Sequence, residues 1–128
     1  MTMRTATRAT ARPTSDVDEV TGLSAAACMF RSLGDPARLA ILRHLALGEH
    51  NVKDLTAHLG LAQSTVSAHL ACLRDCALVT FRAQGRATMW SLAAGPELLA
   101  VLAAAEQLLA ATGSAVTLCP TYGDATNR

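Results

Sequence analysis

Gln63-Ser-Thr-Val-Ser-Ala-His-Leu-Ala-Cys-Leu-Arg-Asp-Cys76 decides how the rest of the chain is read. Set around a helix axis at about 100° per residue, the stretch separates into three faces. Val66, Leu70, Leu73 and Ala77 fall on one narrow stripe, which predicts a core face. Ser64, Ser67, Ala68, Ala71 and Arg74 lie opposite: small, hydroxyl-bearing or basic side chains suited to a DNA major groove. His69, Cys72 and Cys76 share a third flank. A serine-rich face alone describes a solvated helix equally well, so the flanking segments decide.

Upstream, a short helix over Val52 to Leu59 ends at Gly60, and the next helix opens at Ala62 or Gln63 and runs to about Ala77. Two helices joined by a tight glycine turn make a helix-turn-helix. Downstream, Leu78 to Arg82 and Thr88 to Leu92 are β-prone runs around Ala83-Gln-Gly-Arg86, a hairpin or wing carrying Arg82 and Arg86. Further out, Leu23, Ala26, Ala27, Phe30 and Leu33 recur at helical spacing and predict a first helix from Thr21 to Leu33. Gly34-Asp-Pro36 breaks it; Asp35 is a natural N-cap for a second helix reaching about Leu47. A last helix spans roughly Pro96 to Thr112. Its Leu98, Leu99, Val101, Leu102, Ala105, Leu108 and Leu109 leave it apolar on most sides, predicting burial in a subunit interface. The order is α-α-α-α-β-β-α: a mainly α, dimeric winged helix with a small β-hairpin.

A chain of 128 residues holds one core, and aromatics at 3% make that core aliphatic. Net charge is +1, so DNA contact must come from locally clustered Arg and Lys. The most apolar stretch, Leu98 to Ala111, is interrupted by Glu106 and Gln107 and falls short of a membrane span. Residues 1–20 are expected to be a flexible arm, 21–112 the DNA-binding and dimerisation domain, and 113–128 a tail. Cys28, Cys72, Cys76 and Cys119 are too sparse for a disulfide scaffold and predict a reduced, cytoplasmic protein. No catalytic triad, phosphate loop or carboxylate pair is present, which argues against an enzyme and against a small organic substrate.

Ser64-Thr-Val-Ser-Ala-His-Leu-Ala-Cys-Leu-Arg, Ala77-Leu-Val, Gly85-Arg and Leu33-Gly-Asp-Pro-Ala-Arg38 together resemble the ArsR/SmtB family of dimeric winged-helix repressors, over about residues 24 to 112. Cys72-Leu-Arg-Asp-Cys76 followed by a tail cysteine most resembles the family's cadmium- and lead-sensing members. The resemblance implies a metal site made of Cys72, Cys76 and Cys119, the last from the other subunit. Ala77 stands where the family usually has Gly, a change not expected to alter the fold. The Cys-x-Cys pair found in other members is missing near Val52 to Asp54, and the last helix lacks an interfacial zinc or nickel set.

The thiol chemistry agrees. Side chains at i and i+4 on a helix have Cβ atoms about 6 Å apart, close enough for two sulfurs to bind one ion at about 2.3–2.5 Å. A third donor is needed, and Cys119, stiffened by Pro120, is available outside the winged helix. An all-sulfur site selects soft ions: Cd(II) or Pb(II) first, then As(III), with Zn(II) and Cu(I) also accommodated. His69 reads as structural or DNA-proximal, and Cys28 as core packing. The expected function is a repressor that binds operator DNA when apo through Gln63, Ser64, Thr65, Ser67, Ala68, His69, Arg74, Arg82 and Arg86, and releases it on binding metal. A thiol-redox regulator and a cytosolic metal-buffering protein are the rival readings.

Overall fold

The computed structural model describes residues 16–118. Five helices and one hairpin follow in the expected order: α1 (Asp16–Leu33), α2 (Pro36–Leu45), α3 (Val52–Leu59), α4 (Gln63–Asp75), β1 (Val79–Gln84), β2 (Ala87–Leu92) and α5 (Gly95–Ala111). This is a winged helix-turn-helix. Residues 1–15 of the expected arm, and the tail from Cys119 onward, lie outside the described residues. α1 starts five residues before Thr21, at Asp16. Its first turn is acidic rather than apolar, favourable at a helix N-terminus but invisible to a search for apolar periodicity.

The boundaries follow local chemistry. Asp35 caps α2 by accepting from the Ala37 and Arg38 N–H groups at 2.8 and 3.2 Å, with Pro36 in the first turn. Those same hydrogen bonds, led by the one from Arg38, hold the Asp35 carboxyl below its usual pKa. Asn51 caps α3 through the Asp54 N–H at 2.7 Å, and Gly60 ends it in the left-handed conformation. The hairpin pairs Val79 with Leu92 and Gln84 with Ala87, leaving Gly85-Arg86 as a two-residue turn. Gly85 has φ +62° and Arg86 is not left-handed, the φ signs of a type II′ turn. His50 prolongs the ladder through backbone bonds to Trp90 at 3.1 and 2.8 Å.

The core is aliphatic. Ile41, Leu42 and Leu45 of α2 meet Leu55, Val66, Leu70, Leu73, Val79, Leu98 and Leu102. Leu98 and Leu102 of α5 therefore belong to the chain's own core. They are not part of the subunit surface that the sequence reading had extended over the whole helix. What α5 leaves open is Leu108, and α1 exposes Val20, Leu23 and Phe30. Among the described residues no helix is long and apolar enough to cross a membrane.

Candidate DNA-reading helix and thiol site

α4 separates its faces much as its sequence predicts. Val66, Leu70 and Leu73 are fully buried, while Gln63, Ser64, Thr65, Ser67, Ala68 and Arg74 are exposed. The helix begins at Ala62 without a side-chain cap. Ala77 departs from the reading: it is exposed and lies beyond the helix, with φ +61°. The Leu78 N–H bonds the Leu73 carbonyl at 2.9 Å and the Ala77 N–H bonds Arg74 at 2.8 Å, a Schellman motif. Ala77 is thus the left-handed residue of a helix stop rather than a fourth core residue.

Cys72 and Cys76 turn their sulfurs to one hydroxyl on α1. Ser32, 2% exposed, donates from Oγ to Cys76 Sγ at 3.0 Å, and its Oγ lies 3.6 Å from Cys72 Sγ. Cys76 Sγ in turn donates to the Cys28 carbonyl at 3.5 Å. The Cys28 thiol is raised above its ordinary pKa, first by its hydrogen bond with Cys76 and then by burial. Cys28 therefore borders the thiol pair instead of packing only among helix neighbours. Among the described residues no group of three or more His, Cys, Asp and Glu side chains is arranged to hold a metal ion. The pair supplies two soft donors, and Cys119 falls outside the described residues. The chain approaching it is anchored, since the Leu118 N–H donates to the Glu106 carboxylate of α5.

Two residues that sequence reasoning passed over hold this region together. Ser32 offered no signal, because its partners lie 40 and 44 residues away. Arg38 donates from Nε to the Ser32 carbonyl at 2.7 Å and from Nη2 to the Arg31 carbonyl at 3.0 Å. Its Nη1 lies 3.3 Å from His69 Nδ1, and His69 Nε2 is 4.0 Å from Asp35. His69 is thereby fixed between α2 and α4. Arg38 closes the Leu33-Gly-Asp-Pro-Ala-Arg38 motif, and that position was the available clue.

The wing is organised by its basic residues in two ways. Arg82 grips Glu49 through two hydrogen bonds of 2.8 and 2.7 Å and also reaches Gln84 at 2.8 Å. That pairing lowers the Glu49 pKa and raises that of Arg82. The Arg74 guanidinium lies 5.5 Å from the Phe81 ring centroid, and Phe81 packs on Trp90 at 5.0 Å. Arg86, exposed at the turn, has no ion pair among the described residues.

Residues 35–80 match the family described as "Bacterial regulatory protein, arsR family". Over 70 residues the chain is 47% identical to the HTH-type transcriptional regulator CmtR of Mycobacterium tuberculosis, covering 55% of this chain and 59% of that one. The match thus spans less than two thirds of that relative's length. The NMR structure of the cadmium metal-sensor CMTR from Mycobacterium tuberculosis superposes with a TM-score of 0.52 at 43% identity, covering 59% of this chain and 78% of that one. The homodimeric winged helix-turn-helix DNA-binding domain of Mb0332 from Mycobacterium bovis gives a TM-score of 0.64 at 31% identity, covering 78% and 90%. With this fold, this reading helix and these likenesses, the chain belongs to the arsR family of bacterial regulatory proteins, transcriptional regulators rather than enzymes.

Proposed function

We propose that the chain is a homodimeric, cytoplasmic repressor that binds operator DNA when metal-free and lets go when Cys72, Cys76 and Cys119 take up a soft ion. Cd(II) or Pb(II) is the first choice, with As(III) and Zn(II) next. The observation that carries this reading is the pair of sulfurs gathered on Ser32 at the C-terminal end of a helix whose opposite face is small, polar and exposed. A bound ion would supply a soft Lewis acid that matches thiolates. The similarity to the cadmium metal-sensor CMTR of Mycobacterium tuberculosis supports that choice.

The chain's own residues provide the coupling. Ser32 ties both thiols to α1, and Arg38 ties the Ser32 carbonyl to His69 of α4. Deprotonating Cys72 and Cys76 and turning them away from Ser32 loosens α1 from the end of α4. A bond to the partner's Cys119 would set that shift against the dimer geometry. A coupling free energy of about 3 kcal/mol would weaken DNA binding more than a hundredfold. The redox reading gains the proximity of Cys28 to Cys76, but the raised Cys28 pKa disfavours the thiolate that oxidation requires.

A thiolate-to-metal absorption titration tests the ligand set. Cys119→Ser should keep weak binding through the helix pair and lose part of the band, while Cys72→Ser and Cys76→Ser should each lose more affinity. Mixing Cys119→Ser with Cys72→Ser subunits puts both lesions on one site of the heterodimer and should restore one tight site. A mixture with no tight site would show that the three thiols do not meet across subunits.

A further inference from the structure

Arg74 sits in the last turn of α4, on the exposed stripe that also carries Ser64, Ser67, Ala68 and Ala71. Its guanidinium carbon lies 5.5 Å from the centroid of the Phe81 ring, within the range of a cation–π contact. Phe81 belongs to β1 and is 46% exposed, although it is a large apolar ring between Thr80 and Arg82. The ring is held from behind. Its register partner on β2 is Trp90, whose centroid lies 5.0 Å away with the planes at 50°. Trp90 packs against the core, and its backbone is bonded to His50 on the outer edge of the sheet. Phe81 is therefore a braced surface, and the longer Arg74 side chain lies on it.

The strand fixes which way this surface faces. Side chains alternate between the two faces of β1, so Phe81 shares a face with Val79, which is buried in the core. Arg82 stands on the other face, where Glu49 holds it. Since β1 packs on α4, Phe81 and Arg74 together line the crook between the reading helix and the wing. A helix in the major groove and a hairpin reaching the adjacent minor groove have one phosphate strand between them, and that strand crosses such a crook. A guanidinium stacked by its face keeps the N–H donors at its edge open for a bidentate grip on phosphate. Arg74 has no ion pair among the described residues, so its charge is available for that contact.

We propose that Phe81, braced by Trp90, is a positioning residue for DNA binding. It lays Arg74 flat in the crook between α4 and the wing, where the guanidinium edge meets the phosphate strand. Ordering the arginine before DNA arrives lowers the entropy lost on contact. This role rests on the DNA-binding reading of α4 and adds to it a residue whose effect passes through Arg74.

The test is fluorescence anisotropy of the reduced, metal-free, full-length chain on a labelled duplex from the region upstream of its own gene, repeated over a range of salt. Arg74→Gln, at an exposed position, should weaken binding and flatten the log K against log salt slope by about one. Phe81→Leu keeps bulk but removes the ring. It should weaken binding about twofold to fivefold in the wild-type background and have no further effect on Arg74→Gln. Phe81→Tyr keeps the ring and should restore affinity. NMR of the Arg74 Nε–Hε group reads the stack itself: the ring current should displace the proton signal in the free protein, and added duplex should move it further. Loss of that displacement in Phe81→Leu, and its return in Phe81→Tyr, would separate stacking from simple packing. If Phe81→Leu does not fold, the Arg74→Gln slope and the wild-type Arg74 signal carry the test. An unchanged slope in Arg74→Gln, an Arg74 signal that ignores the duplex, or a Phe81→Leu effect that persists undiminished on Arg74→Gln would overturn the proposal alone. A wild type that does not bind the duplex would overturn it together with the DNA-binding reading.

Discussion

Ala77 occupies the one non-glycine position among the described residues with positive φ, at +61°. The Schellman bonds around it demand a left-handed residue, and a Cβ there is strained by about 1 kcal/mol relative to Gly. Ala77→Gly should therefore raise Tm by a few degrees at fixed protein concentration; a lower Tm in a thermal melt would show that the strain is absent. The departure from the family's usual Gly was legible in the sequence, but the strain it carries was not, because periodicity alone placed Ala77 on the core stripe. The thiols divide in the same way. The Cys72/Cys76 pair follows from i, i+4 spacing, whereas Ser32 and Cys28 come to it only through the packing of α1 on α4. No local pattern reports a contact across more than forty residues.

At the scale of elements, caps and stops were readable because each has its own residue signature: Asp35-Pro36 and Gly60 mark ends that the structure keeps, while the turn expected over Ala83-Gln-Gly-Arg86 narrows to Gly85-Arg86 as both strands extend. The start of α1 was not, since its first turn is mainly acidic, with Asp16, Asp18 and Glu19 around Val17. The wing shows how pairing separates residues that look alike in sequence. Arg82 is neutralised by Glu49, while Arg86, exposed at the turn, has no ion pair among the described residues. Arg86→Ala should weaken DNA binding across all sequences and flatten the log K against log salt slope by about one. Arg82→Ala should leave that slope nearly unchanged, because its charge is already met. Equal slopes for wild type and Arg86→Ala would place the wing away from the phosphates.

Across the whole molecule, the large apolar side chains left exposed among the described residues after the core is filled include Val20, Leu23 and Phe30 on α1 and Leu108 on α5, with Leu47, Phe81 and Val116 exposed elsewhere. Such a surface is expected where a second copy packs. Leu108→Glu should then give a folded monomer by sedimentation, whereas Leu102→Glu, at a position only 3% exposed, should lose several kcal/mol and unfold. A dimer surviving Leu108→Glu would put the interface elsewhere. Sequence patterning could see that α5 was too apolar for solvent, yet it could not divide that surface between the core and a partner. Soft-metal binding at the thiols is proposed to weaken the grip on DNA. Its most direct test is fluorescence anisotropy of the reduced protein on a labelled duplex from the region upstream of its own gene, titrated with Cd(II) or Pb(II). Wild type should bind the duplex tightly without metal and fall more than about a hundredfold in affinity at saturation, while Cys72→Ser should bind equally well and stay bound. A wild-type complex that holds the duplex unchanged at saturating Cd(II) and Pb(II) would rule out that coupling.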